Sequence, residues 1–182
     1  MRMEANDKEI VSMMRREAET GFRMFMAKYG QAVYWHVRRL VVSHADAQDA
    51  AQETFVRVFR NIGNYRTDSS FKAWVYRIAT NEALRILGKN KGSEVSLDDM
   101  TGASIAERAA DEYIDYSNLE AVRLQKAILT LPAKQQLAFN LRYYDEMGYD
   151  EIAEIAGTTA ASVKVSYHVA KEKIVKYMNS ND

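Results

Sequence analysis

Pro132 is the only proline in the chain, and only eight glycines accompany it over 182 residues. Proline removes a backbone donor and glycine loosens the main chain. A sequence with so few of either favours long helices over many short strands joined by turns. The helical period recurs accordingly. Phe22, Phe25, Met26 and Tyr29 fall at i, i+3, i+4 and i+7, as do Phe71, Trp74, Val75 and Ile78, and Phe55, Val56, Phe59 and Ile62 follow the same period at i, i+1, i+4 and i+7. No segment alternates with period two for long enough to form a strand, and no internal repeat is present. This pattern predicts helices near 8–29, 31–42, 46–61 and 70–88. Asp46 would cap the third helix, and Asp68 or Ser69 the fourth. The polar stretch between the last two, NIGNYRTDSS, reads as a loop.

Periodicity is lost over residues 88–111, which are rich in Gly, Ser and acids. Beyond them a helix is expected from about Tyr113 to Thr130. A second, with Pro132 in its first turn, would stop near Asp145–Gly148, and two short helices would follow near 149–156 and 160–178. The expected fold is therefore all-α: two small helical domains, 1–91 and 113–182, joined by a flexible acidic linker at 92–112. Charge follows the same division. The total is zero, but residues 1–92 hold 16 basic and 10 acidic side chains, whereas 93–118 hold one basic and seven acidic. The whole excess of the first block sits in residues 57–91, with eight basic and two acidic side chains.

Several function classes drop out. There is no cysteine, so disulfides, zinc ribbons and thiol nucleophiles are excluded. The three histidines are scattered, no carboxylate cluster converges on them, and no phosphate-binding glycine pattern occurs. Neither enzymatic activity nor a metal or other cofactor is expected. MRMEANDKEI lacks the apolar core of a secretory signal, and no apolar run is long enough for membrane insertion, so the expected location is cytoplasmic.

The last third carries the spacing of a helix-turn-helix, YDEIAEIAGTTAASVKVSYHVAKEKIVKY. Ile152 and the small Ala153 would face inward, Gly157 would form the turn, and Thr158 or Thr159 would cap the second helix. Val163, Tyr167, Ala170 and Ile174 would form its buried stripe. Thr159, Ala160, Ser162, Lys164, Val165, His168 and Lys171 are left to meet a major groove. An αα-hairpin with no nucleic-acid role shares this pattern. The basic block combines Arg57, Arg60, Arg66, Lys72, Arg77, Arg85, Lys89 and Lys91 with Tyr65, Phe71, Trp74 and Tyr76. Such side chains neutralise phosphates and stack on bases, although a solvated basic face over a core of Phe71 and Ile78 reads the same way. Tyr65, in the polar loop, is expected to be exposed.

Taken together, these segments resemble a known family. ADAQDAAQETFVRVFRNIGNYRTDSSFKAWVYRIATNEALRIL is similar to the second conserved region of bacterial RNA polymerase sigma factors of the extracytoplasmic-function type. AILTLPAKQQLAFNLRYYDEMGYDEIAEIAGTTAASVKVSYHVAKEKI is similar to their fourth. The resemblance implies an alternative sigma factor. Such a protein binds core RNA polymerase, directs it to specific promoters and helps open the minus-ten region. It implies core polymerase and promoter DNA as partners, with an anti-sigma factor as a further one. A stand-alone helix-turn-helix regulator that binds duplex DNA without polymerase is the alternative.

By the same resemblance, Asp49, Gln52, Glu53, Val56 and Arg57 would meet the polymerase clamp. Tyr65, Arg66, Asp68, Ser69 and Asn81 would receive a base flipped from the non-template strand. Lys72, Arg77, Arg85 and Lys89 would hold its backbone. The second helix of the helix-turn-helix would read the minus-thirty-five element. There the chain departs from the family: VKVSYHVAK stands where several arginines are usual, which implies a more apolar readout tolerant of thymine methyl groups. The acidic linker would thread near the polymerase active site and mimic nucleic acid in a basic channel.

Overall fold

A computed structural model of the chain describes residues 5–41, 43–91 and 118–180. The described residues form eight α-helices and one 3-10 turn. These are α1 (Asp7–Arg16), α2 (Ala18–Leu40), α3 (His44–Asn61), the turn Ile62–Asn64, α4 (Phe71–Lys91), α5 (Leu119–Leu129), α6 (Ala133–Tyr143), α7 (Tyr149–Ala156) and α8 (Ala160–Asn179). The all-α expectation holds. Residues 92–112, read as an acidic linker, lie outside the described residues, as does the expected start of α5 at Tyr113.

The first helix break is not where the sequence suggested. Gly30 does not end a helix: α2 runs through it without interruption. The chain breaks instead at Glu17, which leaves helical geometry with φ −132° and ψ 83°. Asn6 and Glu9 form a reciprocal capping box that starts α1, and Arg15 and Arg16 sit in its last turn, where cations suit the helix dipole. α1 can then fold back onto α2 because Gly21 has no side chain. A β-carbon at Gly21 would fall well inside van der Waals contact with the Met13 and Met14 backbone. Gly21→Ala is therefore expected to destabilise the fold by about 3 kcal/mol, the upper end of an overpacking penalty, because backbone rather than a side chain must move. A urea midpoint unchanged by the substitution would contradict this packing.

α3 also differs from its apolar pattern. Its buried side is made of small residues, Ala47, Ala50, Ala51, Thr54 and Val58, while Val56 and Phe59 are 39% and 44% exposed. The small side chains let α3 lie close against α4, and the larger ones are left on the outer face. Its N-cap is Ser43 rather than Asp46: Ser43 Oγ accepts from the Asp46 amide at 3.0 Å. Ser70 likewise replaces Asp68 or Ser69 as the cap of α4, its Oγ accepting from the Ala73 amide. Pro132 stands one position before the first residue of α6. The second half holds its expectations more closely. Gly157 ends α7 with φ 66°, Thr159 Oγ1 accepts from the Ser162 amide to start α8, and Val163, Ala170 and Ile174 are buried.

One buried cluster runs from Ile10, Phe25 and Tyr76 in the first half to Leu137, Met147 and Ile152 in the second. A smaller cluster of Ile128, Leu131, Phe139 and Ile174 closes the far end of the C-terminal bundle. Within the larger core His36 is fully enclosed, its Nε2 2.8 Å from Thr80 Oγ1. Thr80 gives its only hydroxyl proton to the Tyr76 carbonyl, so Nε2 carries the proton of a neutral imidazole. Burial, with Arg39 nearby, pushes the His36 pKa down to about 3.

Candidate nucleic-acid interface

Arg77, Asn81, Arg85 and Lys89 are spaced four apart along α4, and all four are exposed. Residues four apart share a helix face, so they form one stripe of three cations and an amide about 18 Å long. Asn81 stands ten residues beyond Phe71, roughly 15 Å along the helix axis, so it belongs to this stripe rather than to the loop before α4. Arg85 Nε also meets the buried carboxylate of Glu82 at 2.8 Å, and Arg57 Nε reaches the same carboxylate at 2.5 Å. Glu82 thus ties α3 to α4 and fixes two cations at the edge of the stripe. Nothing in the linear pattern singled it out.

The loop before α4 is built around Tyr65. Contrary to the expectation of exposure, Tyr65 is 7% exposed. Its ring centroid lies 5.2 Å from those of both Phe71 and Trp74, and its hydroxyl donates to the Ser69 carbonyl. Burial accordingly raises its pKa. From α1, Arg15 Nη2 donates to the Tyr65 carbonyl at 2.6 Å and to that of Ile62 at 3.2 Å. The ring is therefore the internal support of the loop, and it presents no free face on which a base could stack. Arg66, Asp68 and Ser69 remain outside. Arg66 pairs with Asp68 at 3.2 Å, and Ser69 Oγ donates to the Arg66 carbonyl. A cavity of about 670 Å³ opens between this loop and α1.

Lys72 is not available as the sequence suggested. Its Nζ donates to the Asp145 carbonyl at 2.5 Å, in the turn between α6 and α7. The Asp145 side chain is also seated against the first half of the chain. Tyr76 donates to Asp145 Oδ1 at 2.6 Å, and Arg39 lies 3.8 Å from Oδ2. Burial raises the Asp145 pKa, against the opposing effects of Tyr76, Arg39 and Lys72. The next residue, Glu146, adopts a left-handed φ of 52°, uncommon for a residue with a side chain. Glu151 of α7 bridges the same seam, accepting from Ser70 Oγ at 2.6 Å and from the Gly148 amide at 3.2 Å. The start of α4 is thus covered by the helix-turn-helix half.

The remaining expected residues are at the surface. On α3, Asp49, Gln52, Val56 and Arg57 are exposed and Glu53 is half-buried, paired with Arg57 at 3.3 Å. Phe59, which the periodicity placed in the core, adds an apolar side chain to that outer face. On α8, Ser162, Lys164, Val165, His168 and Lys171 are exposed, Thr159 is exposed as the cap and Ala160 is half-buried. Val165 is 63% exposed, a large apolar side chain presented to solvent from the outer face of α8. Among the described residues, no cluster of three His, Asp or Glu side chains could hold a metal ion, and no helix is long and apolar enough to cross a membrane.

The same division appears among known proteins. The family described as Sigma-70 region 2 matches residues 25–92, and that described as Sigma-70, region 4 matches residues 121–174, together two-thirds of the chain. The chain is 28% identical over 185 residues to the RNA polymerase sigma-H factor of Pseudomonas aeruginosa, with 97% of this chain and 95% of that one covered. It is 27% identical over 184 residues to the ECF RNA polymerase sigma factor SigW of Bacillus subtilis, covering 97% and 98%. Two solved structures share its fold. CnrH in complex with the cytosolic domain of CnrY has a TM-score of 0.71 at 18% identity, over 97% of this chain and 99% of that one. The sigma factor RpoE of Bartonella quintana, in complex with the anti-sigma factor NepR, has a TM-score of 0.66 at 19% identity, over 88% and 98%.

Proposed function

The chain belongs to the sigma-70 family, in its extracytoplasmic-function branch, and on that premise we propose how its surfaces divide the work of initiation. It is an alternative sigma factor that binds core RNA polymerase, directs it to specific promoters and helps open the minus-ten region. The observation that carries the division is the exposed stripe of Arg77, Asn81, Arg85 and Lys89 beside a loop braced from within. Phosphates of a separated strand run along the stripe, and charge neutralisation supplies sequence-independent affinity. Asn81, with one acceptor and two donors, is the member able to read a base edge. Arg66, Asp68 and Ser69 offer the polar groups of the loop. Opening requires no nucleotide hydrolysis, because unpaired bases gain contacts that duplex bases cannot make. We assign no catalysis to the protein and place its action in the cytoplasm, with the polymerase.

The outer face of α3, from Asp49 to Phe59, would meet polymerase. It joins acids at its N-terminal end to an apolar patch of Val56 and Phe59, the pairing of polar rim and buried centre that protein interfaces use. Thr159, Ala160, Ser162, Lys164, Val165, His168 and Lys171 of the helix-turn-helix would read the minus-thirty-five element, with Val165 placed for a thymine methyl group. A partner that hides these faces would act as an anti-sigma factor.

The chain is expected to co-purify with core polymerase and to support run-off transcription from its promoter. On that promoter, Arg77→Ala with Asn81→Ala should lower open-complex formation at least tenfold and leave core binding unchanged. Failure to bind core polymerase at micromolar concentration would overturn the reading. Tight gel-shift of duplex DNA by the chain alone would favour a stand-alone regulator.

A further inference from the structure

Glu82 is a buried carboxylate with a cation on each oxygen. The residue is 4% exposed, at the place where α4 meets α3. Arg57 Nε of α3 meets Oε1 at 2.5 Å, and Arg85 Nε of α4 meets Oε2 at 2.8 Å. A buried carboxylate needs such partners, and this one spends both oxygens on them. The two arginines are unlike it, because about half of each side chain is exposed, 46% for Arg57 and 52% for Arg85. Each is held through Nε. A guanidinium held that way keeps its Nη1–Nη2 edge for a second anion, and that edge can grip a carboxylate or a phosphate with two parallel bonds. The two edges belong to different surfaces. Arg57 stands on the outer face of α3 with Asp49 and Val56, and Arg85 stands in the stripe of α4 with Arg77 and Lys89. Arg57 also has Glu53 Oε1 at 3.3 Å, so Glu82 is not its only source of charge balance. What Glu82 alone supplies is a fixed point shared by the two cations.

We propose that Glu82 is a positioning residue for both interfaces. One buried carboxylate holds the Arg57 guanidinium ready for polymerase and the Arg85 guanidinium ready for a strand phosphate. This rests on the division of surfaces proposed above, which supplies the two partners. Glu82 itself touches neither. Its contribution is the rotamer freedom that the two long side chains have already lost in the free protein, so that less is lost on binding. The sign of that contribution opposes its charge. A carboxylate beside a track of phosphates repels them, so removal of its charge alone would tighten strand binding. Removal of its grip on Arg85 weakens strand binding instead.

Glu82→Gln tests this, because it keeps the length of the side chain but can accept through one oxygen only. Titration of the full chain into core polymerase reads the first interface. Holoenzyme, assembled at concentrations that saturate core, is then titrated with a fluorescein-labelled single-stranded DNA 12-mer pool of mixed sequence at several salt concentrations, which reads the second. Glu82→Gln is expected to weaken each about threefold, the worth of ordering one long side chain. It should also lower the salt slope for the strand by up to about 0.7, the share of one contact. In an Arg57→Ala background the substitution should no longer change core affinity, and in an Arg85→Ala background it should no longer change strand affinity. Glu82→Asp, which keeps the charge but is shorter by one methylene, is expected to reproduce both losses. If Arg85→Ala weakens strand binding while Glu82→Gln tightens it or leaves it unchanged, the proposal is overturned and the role of the stripe stands. Losses that persist in both arginine backgrounds, with a lowered melting temperature, would make Glu82 purely structural and overturn the proposal as well, as would an effect at one interface alone. If Arg57→Ala and Arg85→Ala themselves match wild type, the division of surfaces fails and this proposal falls with it.

Discussion

Tyr65→Ala is expected to remove about 3–5 kcal/mol of stability and promoter opening with it, whereas Tyr65→Phe should cost only about 1 kcal/mol and open promoters nearly as wild type. The difference follows from what the ring touches. Packed against Phe71 and Trp74 at 5.2 Å each, it is the apolar body on which Arg66–Ser69 rest. Truncation to alanine leaves a cavity beneath the loop and frees the Ser69 carbonyl at the same time. Phenylalanine keeps the ring and gives up only the hydroxyl bond to Ser69. A base-stacking role would give the opposite pattern: alanine would spare the urea midpoint and reduce only DNA affinity. Equilibrium unfolding of both variants, with thymine reactivity to permanganate as the measure of opening, separates the two. An Ala variant of wild-type stability would remove Tyr65 from the loop's support.

The second large effect is acid sensitivity from His36. Its folded pKa is about 3 against an ordinary 6.5. A depressed histidine pKa means that stability is fully present above pH 6.5 and is lost as pH falls through that value toward 3, because the unfolded chain takes up a proton that the folded core refuses. At about 1.4 kcal/mol per pH unit the loss reaches about 2 kcal/mol at pH 5 and about 3 kcal/mol at pH 4. Ordinary carboxylates scarcely titrate between pH 6.5 and 5, so the slope in that window belongs to histidine. Asp145 works in the other direction. Its raised pKa means that acid relieves the cost of its burial rather than adding to it. His36→Gln, whose amide can still donate to Thr80, is expected to flatten the profile above pH 5. Urea midpoints measured from pH 7 to 5 on both proteins check this, and parallel profiles would contradict it.

These two residues also mark how far the linear sequence could be read. The fold class and the helix-turn-helix were legible, because Gly157, Thr159 and the spacing from Val163 to Ile174 are local signals that act within a turn or two. Arg77, Arg85 and Lys89 were legible as a set of cations, but Asn81 was grouped with the loop although residues 77, 81, 85 and 89 are spaced four apart on one helix. Tyr65 was not. A tyrosine in a polar loop is exposed or buried according to what covers it, and here α1 supplies the brace, from fifty residues away through Arg15. The break at Glu17 was hidden because no glycine or proline marks it; the signal is Gly21, four residues later, and it is steric rather than conformational. On α3 Phe59 suggested a core position, but a close helix contact selects small side chains, and the alanines took that side while Phe55 packs at its margin. The seam at Asp145 joins residues about seventy positions apart, a pairing that no local period encodes.

That seam makes the chain its own first ligand. Ser70 and Lys72 cannot hold a DNA backbone while they hold Glu151 and the Asp145 carbonyl, so a DNA-bound arrangement would first have to release these donors. Any partner that needs the start of α4 uncovered binds only the fraction of molecules in which it is uncovered. A self-contact worth about 3 kcal/mol would leave roughly one free molecule in 150 receptive and would weaken the apparent affinity by the same factor. On that arithmetic the strength of a few hydrogen bonds around Asp145 would set a concentration threshold for any such partner, and loosening the contact would lower it without altering the partner's own contacts.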